Sequence, residues 1–218
     1  VKPLSLDRVR SALIVAPHPD DEAIGAFGLI SRLRRRGARV RVVIATDGAG
    51  SHPNSLRWPR ARLVAQRRRE TRAVLARIGV AARDVRFLGL PDGGMTAGGT
   101  MVRATLARAL AQGRGHDLLV IPAQDDDHPD HRIVAAVAAD CPAVRRLEYL
   151  VWPNRQIRAR PATHRLALGP SGAAKRGAIL RYYSQFGMID DDPTGFTISR
   201  GELAAFAHPV ERYRAMAR

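Results

Sequence analysis

Pro17-His18-Pro19-Asp20-Asp21-Glu22 places four ionisable side chains within five residues, directly after an apolar run. Such a group does not serve a core, because burying it unpaired is costly. Capping of a helix start explains one aspartate, Asp20 or Asp21, but leaves the imidazole and the second carboxylate without a role. A second cluster, Asp125-Asp126-Asp127-His128-Pro129-Asp130-His131, follows much further along. Two histidines three apart, with an aspartate between them, can converge on one centre at a helix start. Mixed imidazole and carboxylate donors suit zinc, and three protein ligands leave a position open for water. The chemistry this allows is hydrolysis: the metal activates water, and a neighbouring carboxylate moves its proton.

Elements of regular structure must bring the two clusters together. Ala12–Ala16 is apolar throughout and ends at Pro17, which predicts a buried strand. Glu22–Arg36 predicts a helix ended by Gly37, Val40–Ala45 a strand, and Trp58 or Pro59 to Ile78 a long helix closed by Gly79. Val85–Leu88 predicts the third strand, Gly99 or Thr100 to Gln112 a helix, and Leu118–Ile121 the fourth strand. A helix from near His131 to Asp140 and a strand over Leu147–Trp152 follow. Beyond Trp152 the rhythm loosens: a strand at Arg165–Leu168, a helix over Gly172–Phe186, and a loop at Asp190–Pro193. The alternation predicts one α/β, Rossmann-like domain over residues 1–218, with a mostly parallel β-sheet and helices on both faces. Both clusters then lie at carboxyl ends of strands, where open sheets bind ligands.

The two histidine motifs, with Arg67-Arg68-Arg69-Glu70, Gly89-Leu90-Pro91-Asp92-Gly93-Gly94, Lys175-Arg176 and Tyr183-Ser184-Gln185, resemble the PIG-L/LmbE-like N-acetylglucosaminyl deacetylases. The resemblance implies an LmbE-like fold and hydrolysis of an N-acyl group, expected to be acetyl, on an amino sugar or sugar conjugate. It implies one Zn2+ per chain on His18, Asp21 and His131, with Asp20 as general base. His128 would assist at the scissile carbonyl with Asp130 orienting it, and Arg67 and Asp92 would lie at the substrate pocket. Pro129 favours an extended His128 and a helix starting after it. That leaves His131 on the helix and His128 in the loop, held protonated by Asp130 to face a developing oxyanion. An amidase acting on a larger acyl group or a non-sugar amine fits the same motifs, which address the amide and not its substituents.

Charge raises a rival from another class. The formal net charge is +16, with 34 arginines against Lys2 and Lys175. Eight arginines fall between Arg57 and Arg77, with only Glu70 to balance them. Part of this stripe at the pocket mouth would favour an anionic substrate. A nucleic-acid-binding protein with a vestigial metal site is the other reading. With 5% aromatic residues and none between Ala61 and Val85, stacking on bases has little support, and no nucleic-acid partner is expected. The first strand is not followed by Gly-x-Gly-x-x-Gly, which sets aside a dinucleotide enzyme. Gly93, Gly94, Gly98 and Gly99 lack a Gly-Lys-Ser/Thr ending and are expected to form a flexible loop. His52 is expected to be a solvated loop residue, and His116, His164 and His208 fit neither motif. Glu22 suits a helix N-terminus on charge alone. Trp58 and Trp152 could stack on a sugar, though packing is the commoner use. Cys141 is the single cysteine, which fits a reducing cytoplasm. No apolar run reaches a membrane span's length, and Val1–Arg10 lacks a leader's apolar region, so a cytoplasmic location is expected. Oligomeric state carries no signal.

Overall fold

The computed structural model describes residues 1–111, 115–141, 143–152 and 160–216. In chain order the elements are β1 (Lys2–Pro3), β2 (Ser11–Ala16), α1 (Asp21–Arg35), β3 (Arg39–Thr46), α2 (Arg60–Arg77), β4 (Val85–Leu90), α3 (Gly99–Ala111) and β5 (His116–Pro122). Then come α4 (Pro129–Ala139), β6 (Ala143–Tyr149), β7 (His164–Ala167), α5 (Ser171–Ile179), α6 (Arg200–Phe206) and β8 (Val210–Ala215). Among the described residues these strands form one sheet, in the order β1-β7-β8-β6-β5-β2-β3-β4. Pairing is parallel except where β8 runs against β6 and β7. This is the expected α/β, Rossmann-like architecture with a mostly parallel sheet.

Alternation along β2 builds the two faces. Ala12, Ile14 and Ala16 join a core with Phe27, Ile30 and Leu33 of α1. Leu13 and Val15 face the other way, toward Val102 and Leu106 of α3 and Val134 and Ala138 of α4. Since β3 lies on one side of β2 and β5 on the other, the strand order reverses between β2 and β5, opening a crevice at their carboxyl ends. Both histidine clusters leave the sheet there.

The C-terminal part departs from expectation. The helix expected over Gly172–Phe186 stops at Ile179, and Tyr183–Gln185 forms a separate 3-10 turn. Buried polar partners end it: the Glu70 carboxylate accepts from the Ser184 N–H and hydroxyl, at 3.0 and 2.6 Å. The strand expected at Leu147–Trp152 ends at Tyr149 and starts earlier, at Ala143. Gln112, the expected end of α3, lies outside the described residues. The helix expected from near His131 starts at Pro129, whose fixed φ and missing N–H suit a first helical position. Neither α6 nor β8 was expected. Yet β8 grips α1: the Glu211 carboxylate accepts from the N–H groups of Gly28 and Leu29, at 2.8 and 3.0 Å, and pairs with Lys175 at 3.2 Å. On the same helix a Cβ at Gly25 would lie 2.1 Å from the Tyr149 ring, so only glycine lets β6 approach. No described helix is long and apolar enough to cross a membrane.

Candidate metal centre and active site

The loop from β2 into α1 and the loop from β5 into α4 meet in the crevice. His18 Nδ1, Asp21 Oδ2 and His131 Nε2 form a triangle 3.2 Å on each side. A tetrahedron with that edge has its centre about 2.0 Å from each vertex, the length of zinc bonds to imidazole nitrogen and carboxylate oxygen. Two imidazoles and a carboxylate are also donors such an ion accepts, so the residues fit the group. His18, His128 and His131 form a second possible donor set. His128 Nδ1 accepts the Asp130 backbone N–H at 3.2 Å, so Nε2 is the ring nitrogen it turns toward the other two.

Each of the two imidazoles in the triangle has a carboxylate at its far nitrogen, the arrangement that fixes ring orientation in metal sites. His131 Nδ1 lies 3.1 Å from Asp126 Oδ2. His18 Nε2 lies 3.0 Å from Asp92 Oδ1 and 3.4 Å from Asp130 Oδ2. Asp126 sits inside the second motif, but its spacing alone does not single it out from Asp125 and Asp127. The surrounding loops hold these carboxylates in turn. The Gly93 N–H donates to Asp130 Oδ2 at 2.8 Å, and the Gly50 N–H to Asp92 Oδ2 at 2.9 Å. The glycine stretch expected to be merely flexible thus supplies a backbone donor to the site.

One expectation is corrected here. The Asp130 carboxylate bonds His18 and Gly93; it is not paired with His128, because α4 already begins at Pro129 and makes His128 its N-cap. With Nδ1 accepting, a neutral His128 carries its proton on Nε2. Burial, then the His18 and His131 rings, lower its pKa. The part of the arginine stripe that reaches the cavity is a single residue. Arg67 alone of the eight lines the cavity, while Arg57, Arg60, Arg62, Arg69, Arg72 and Arg77 are exposed. Arg57 pairs with Asp190, Arg60 with Asp47, and the Arg62 guanidinium stacks over Trp58.

Asp20 precedes the triangle's carboxylate and is the N-cap residue of α1, yet its side chain makes no capping hydrogen bond. Its Oδ2 accepts from Arg67 Nη2 at 2.8 Å, and its N–H donates to Glu22 Oε2 at 3.0 Å. Glu22 is fully buried and also accepts from the Tyr182 hydroxyl, a role beyond helix-end charge. Burial pushes the Asp20 carboxyl up to about 8, against the pull of Arg67. For Asp21 burial acts the same way, but His131 and His18 overcome it and hold the group well below the usual range. The two neighbouring carboxylates are therefore driven apart: one ready to hold a proton, the other ionised. His18 and His131 are raised despite burial, His131 to about 9, by the carboxylates facing them.

These groups floor a cavity of about 190 Å³. The lining is polar at Gly50, Ser51, Arg67 and Asp92 and apolar at Ile24, Trp152 and Phe196. Trp152 packs edge-on against Phe196 and Phe206, so it serves both packing and lining. Ile24, Ser51 and Phe196 are lining residues that no motif marked. His52 is buried, not solvated: its ring fills the space a Cβ on Gly195 would need, at 2.2 Å.

Residues 13–141 match the family model described as GlcNAc-PI de-N-acetylase, PIG-L. The chain belongs to this family. Within 136 residues it is 32% identical to 2'-N-acetylparomamine deacetylase from Streptomyces fradiae, covering 56% of this chain and 48% of the relative. The chain thus spans about half the length of that curated relative. The PIG-L fold extends over nearly all of it: N,N'-diacetylchitobiose deacetylase from Pyrococcus horikoshii superposes with a TM-score of 0.76 at 21% identity, covering 96% of this chain and 84% of the other. The 4-carboxy-2-hydroxymuconate hydratase of Pseudomonas putida superposes at 0.66 with 15% identity, covering 96% and 97%. The same fold therefore carries more than one reaction, and the PIG-L member described here must be read from its site.

Proposed function

We propose that this protein is a zinc-dependent deacetylase of an N-acetylated amino sugar or amino-sugar conjugate. The observation that carries the reading is the 3.2 Å triangle of His18, Asp21 and His131 beside a carboxylate, Asp20, that is free of the triangle. The amino-sugar part draws on the relatives, two of which are named for removing acetyl groups from amino sugars.

A bound zinc ion would supply Lewis acidity and lower the pKa of water at neutral pH. Asp20 takes a proton from the attacking water and passes it to the leaving amine nitrogen, a shuttle that suits a carboxyl whose pKa burial has raised. His128 Nε2 donates to the oxygen on which negative charge develops, while Nδ1 stays on the Asp130 N–H and fixes the ring. Asp126, Asp92 and Asp130 orient the ligand imidazoles. The polar lining at Gly50, Ser51 and Asp92 takes sugar hydroxyls, and the apolar lining at Ile24 and Trp152 takes the acetyl methyl or a sugar face.

The test is acetate release from 2'-N-acetylparomamine, N,N'-diacetylchitobiose and GlcNAc-phosphatidylinositol, with zinc measured on the same protein. Expected are one zinc per chain and acetate from at least one substrate, abolished by chelation. Full activity in chelator would overturn the metal, and no acetate from any substrate would overturn the reaction.

A further inference from the structure

We propose that Arg214 is a positioning residue for the metal centre: from β8 it holds Asp125, and so fixes the β5–α4 loop that presents Asp126, His128 and His131. The proposal rests on the reading of His18, Asp21 and His131 as zinc ligands.

The sheet sets the reach. Ile121 of β5 is the register partner of Glu148 of β6, which is in turn the partner of Arg214 of β8. The three residues therefore form one row across neighbouring strands, near the carboxyl ends of β5 and β6. Asp125 lies in the loop that leaves β5 after Pro122. Arg214 Nη1 donates to Asp125 Oδ1 and lies 3.4 Å from Glu148 Oε2. Arg160 closes the group: its Nη2 donates to both Glu148 oxygens at 2.9 Å, and its N–H to Asp125 Oδ2 at 2.9 Å. Of the two arginines Arg214 is the anchor, because its side chain is 3% exposed and that of Arg160 58%. An exposed pair contributes little, whereas breaking a buried one strands a charge without its partner.

Packing alone does not account for an arginine at this place. Its Nε and Nη2 are buried without a hydrogen-bond partner among the described residues, a cost that an apolar side chain of similar length would not carry. What the guanidinium adds is its grip on Asp125. The next residue holds both histidines of the motif: Asp126 Oδ2 lies 3.1 Å from His131 Nδ1, and its Oδ1 accepts the His128 N–H at 2.9 Å. From α4, Arg132 Nη1 donates to the Asp126 and Asp127 carbonyls at 2.7 and 2.8 Å, which ties the loop only to its own helix. Arg214 ties it to a strand far along the chain, and does so without lining the cavity.

The test compares Arg214→Met, Arg214→Lys, Asp125→Ala and the double variant Arg214→Met/Asp125→Ala. Zinc affinity is measured by competition with a chelator, and Tm on metal-free protein. Arg214→Met removes the charge and keeps most of the length, and is expected to weaken zinc binding by about tenfold, the lower end of what outer partners of metal ligands contribute. Asp125→Ala should lose a similar factor. The double variant should lose no more than the worse single one, because both substitutions cut the same link. Arg214→Lys should recover part of the affinity. A residue with a merely structural role would lower the metal-free Tm and leave zinc affinity at the wild-type value; that result overturns the proposal, and so do losses that multiply in the double variant. Wild-type protein that takes up no zinc would overturn the metal reading and this proposal with it, so the two failures are told apart. Should Arg214→Met not fold, Asp125→Ala, at a side chain that is 29% exposed, carries the same readouts.

Discussion

The stretch that matches the family model ends at residue 141, and the molecule divides in function near the same point. Before it lie the triangle, Asp20, Arg67, and the carboxylates behind both imidazoles. After it lie Trp152 and Phe196, part of the apolar lining, and Gln185 beside them. The first region is built on the parallel strands β2, β3 and β5, so its side chains sit at element ends that the buried sheet fixes. The second reaches the cavity through loops and a 3-10 turn, held by side-chain contacts such as Glu70 to Ser184. The groups of the triangle thus sit at the ends of sheet strands, while the later segments add Trp152, Gln185 and Phe196 to a lining that Ile24, Gly50, Ser51 and Asp92 share.

That division can be broken by substitutions on either side. His131→Ala has the largest expected effect: zinc content near zero and activity at background, measured by elemental analysis and acetate release. His128→Ala should keep zinc and lose about 10²–10³ in kcat, the usual cost of removing one donor to a developing oxyanion. If it loses zinc as His131→Ala does, His128 is a ligand. Asp126→Ala should weaken zinc affinity or turnover by about 10–100-fold, by freeing the His131 ring. Competition with a chelator measures the affinity, and wild-type values in both would show that Asp126 does not orient the ring. On the other side of the division, Trp152→Ala should raise KM by about tenfold, equivalent to ~1.4 kcal/mol, with kcat and zinc near wild type. A fall in kcat as deep as that of His128→Ala would show that the apolar lining takes part in the chemistry, and the division would fail.

Legibility in the sequence followed burial chemistry more than position along the chain. Apolar runs such as Ala12–Ala16 declare buried parallel strands, and the charged motifs after β2 and β5 declare a site because such residues have no place in a core. Partner choice within the site was hidden. Asp130 stands two residues from His128 in sequence, yet its carboxylate reaches across to His18, because the helix start at Pro129 turns it that way. Charge and spacing alone did not separate Arg67 from its seven neighbours, since only the tertiary fold buries one face of α2; the family resemblance did. Strand β8 was missed because half its residues are charged (Glu211, Arg212 and Arg214), and Glu211 and Arg214 are buried against partners distant in sequence. Periodicity reads burial of apolar groups, not burial of paired charges.

The smallest expected effect lies in a contact that joins the two regions. The loop after β3 carries Ser51 into the cavity, and the acidic turn at Asp190–Asp192 holds that loop. Asp191 Oδ1 accepts from the Ser55 hydroxyl at 2.6 Å, and its Oδ2 from the Arg57 N–H at 2.8 Å. Beside it the Asn54 N–H donates to Asp192 at 2.8 Å, and the Phe196 N–H to the Ser51 carbonyl at 2.7 Å. Ser55, then Arg57, hold the Asp191 carboxyl at about 2, below the unfolded value of about 3.9. A depressed carboxyl contributes stability above its unfolded pKa and loses it as pH falls through its folded one. Asp191→Asn should therefore lower Tm slightly at pH 7, and the gap to wild type should narrow as pH falls from about 4 toward 2. Because the turn holds both Ser51 and Phe196, KM should rise modestly while zinc content stays the same. A gap in Tm that is constant over that pH range would show that the carboxylate's charge is not what joins the two loops, and an unchanged KM would show that the junction does not shape the cavity.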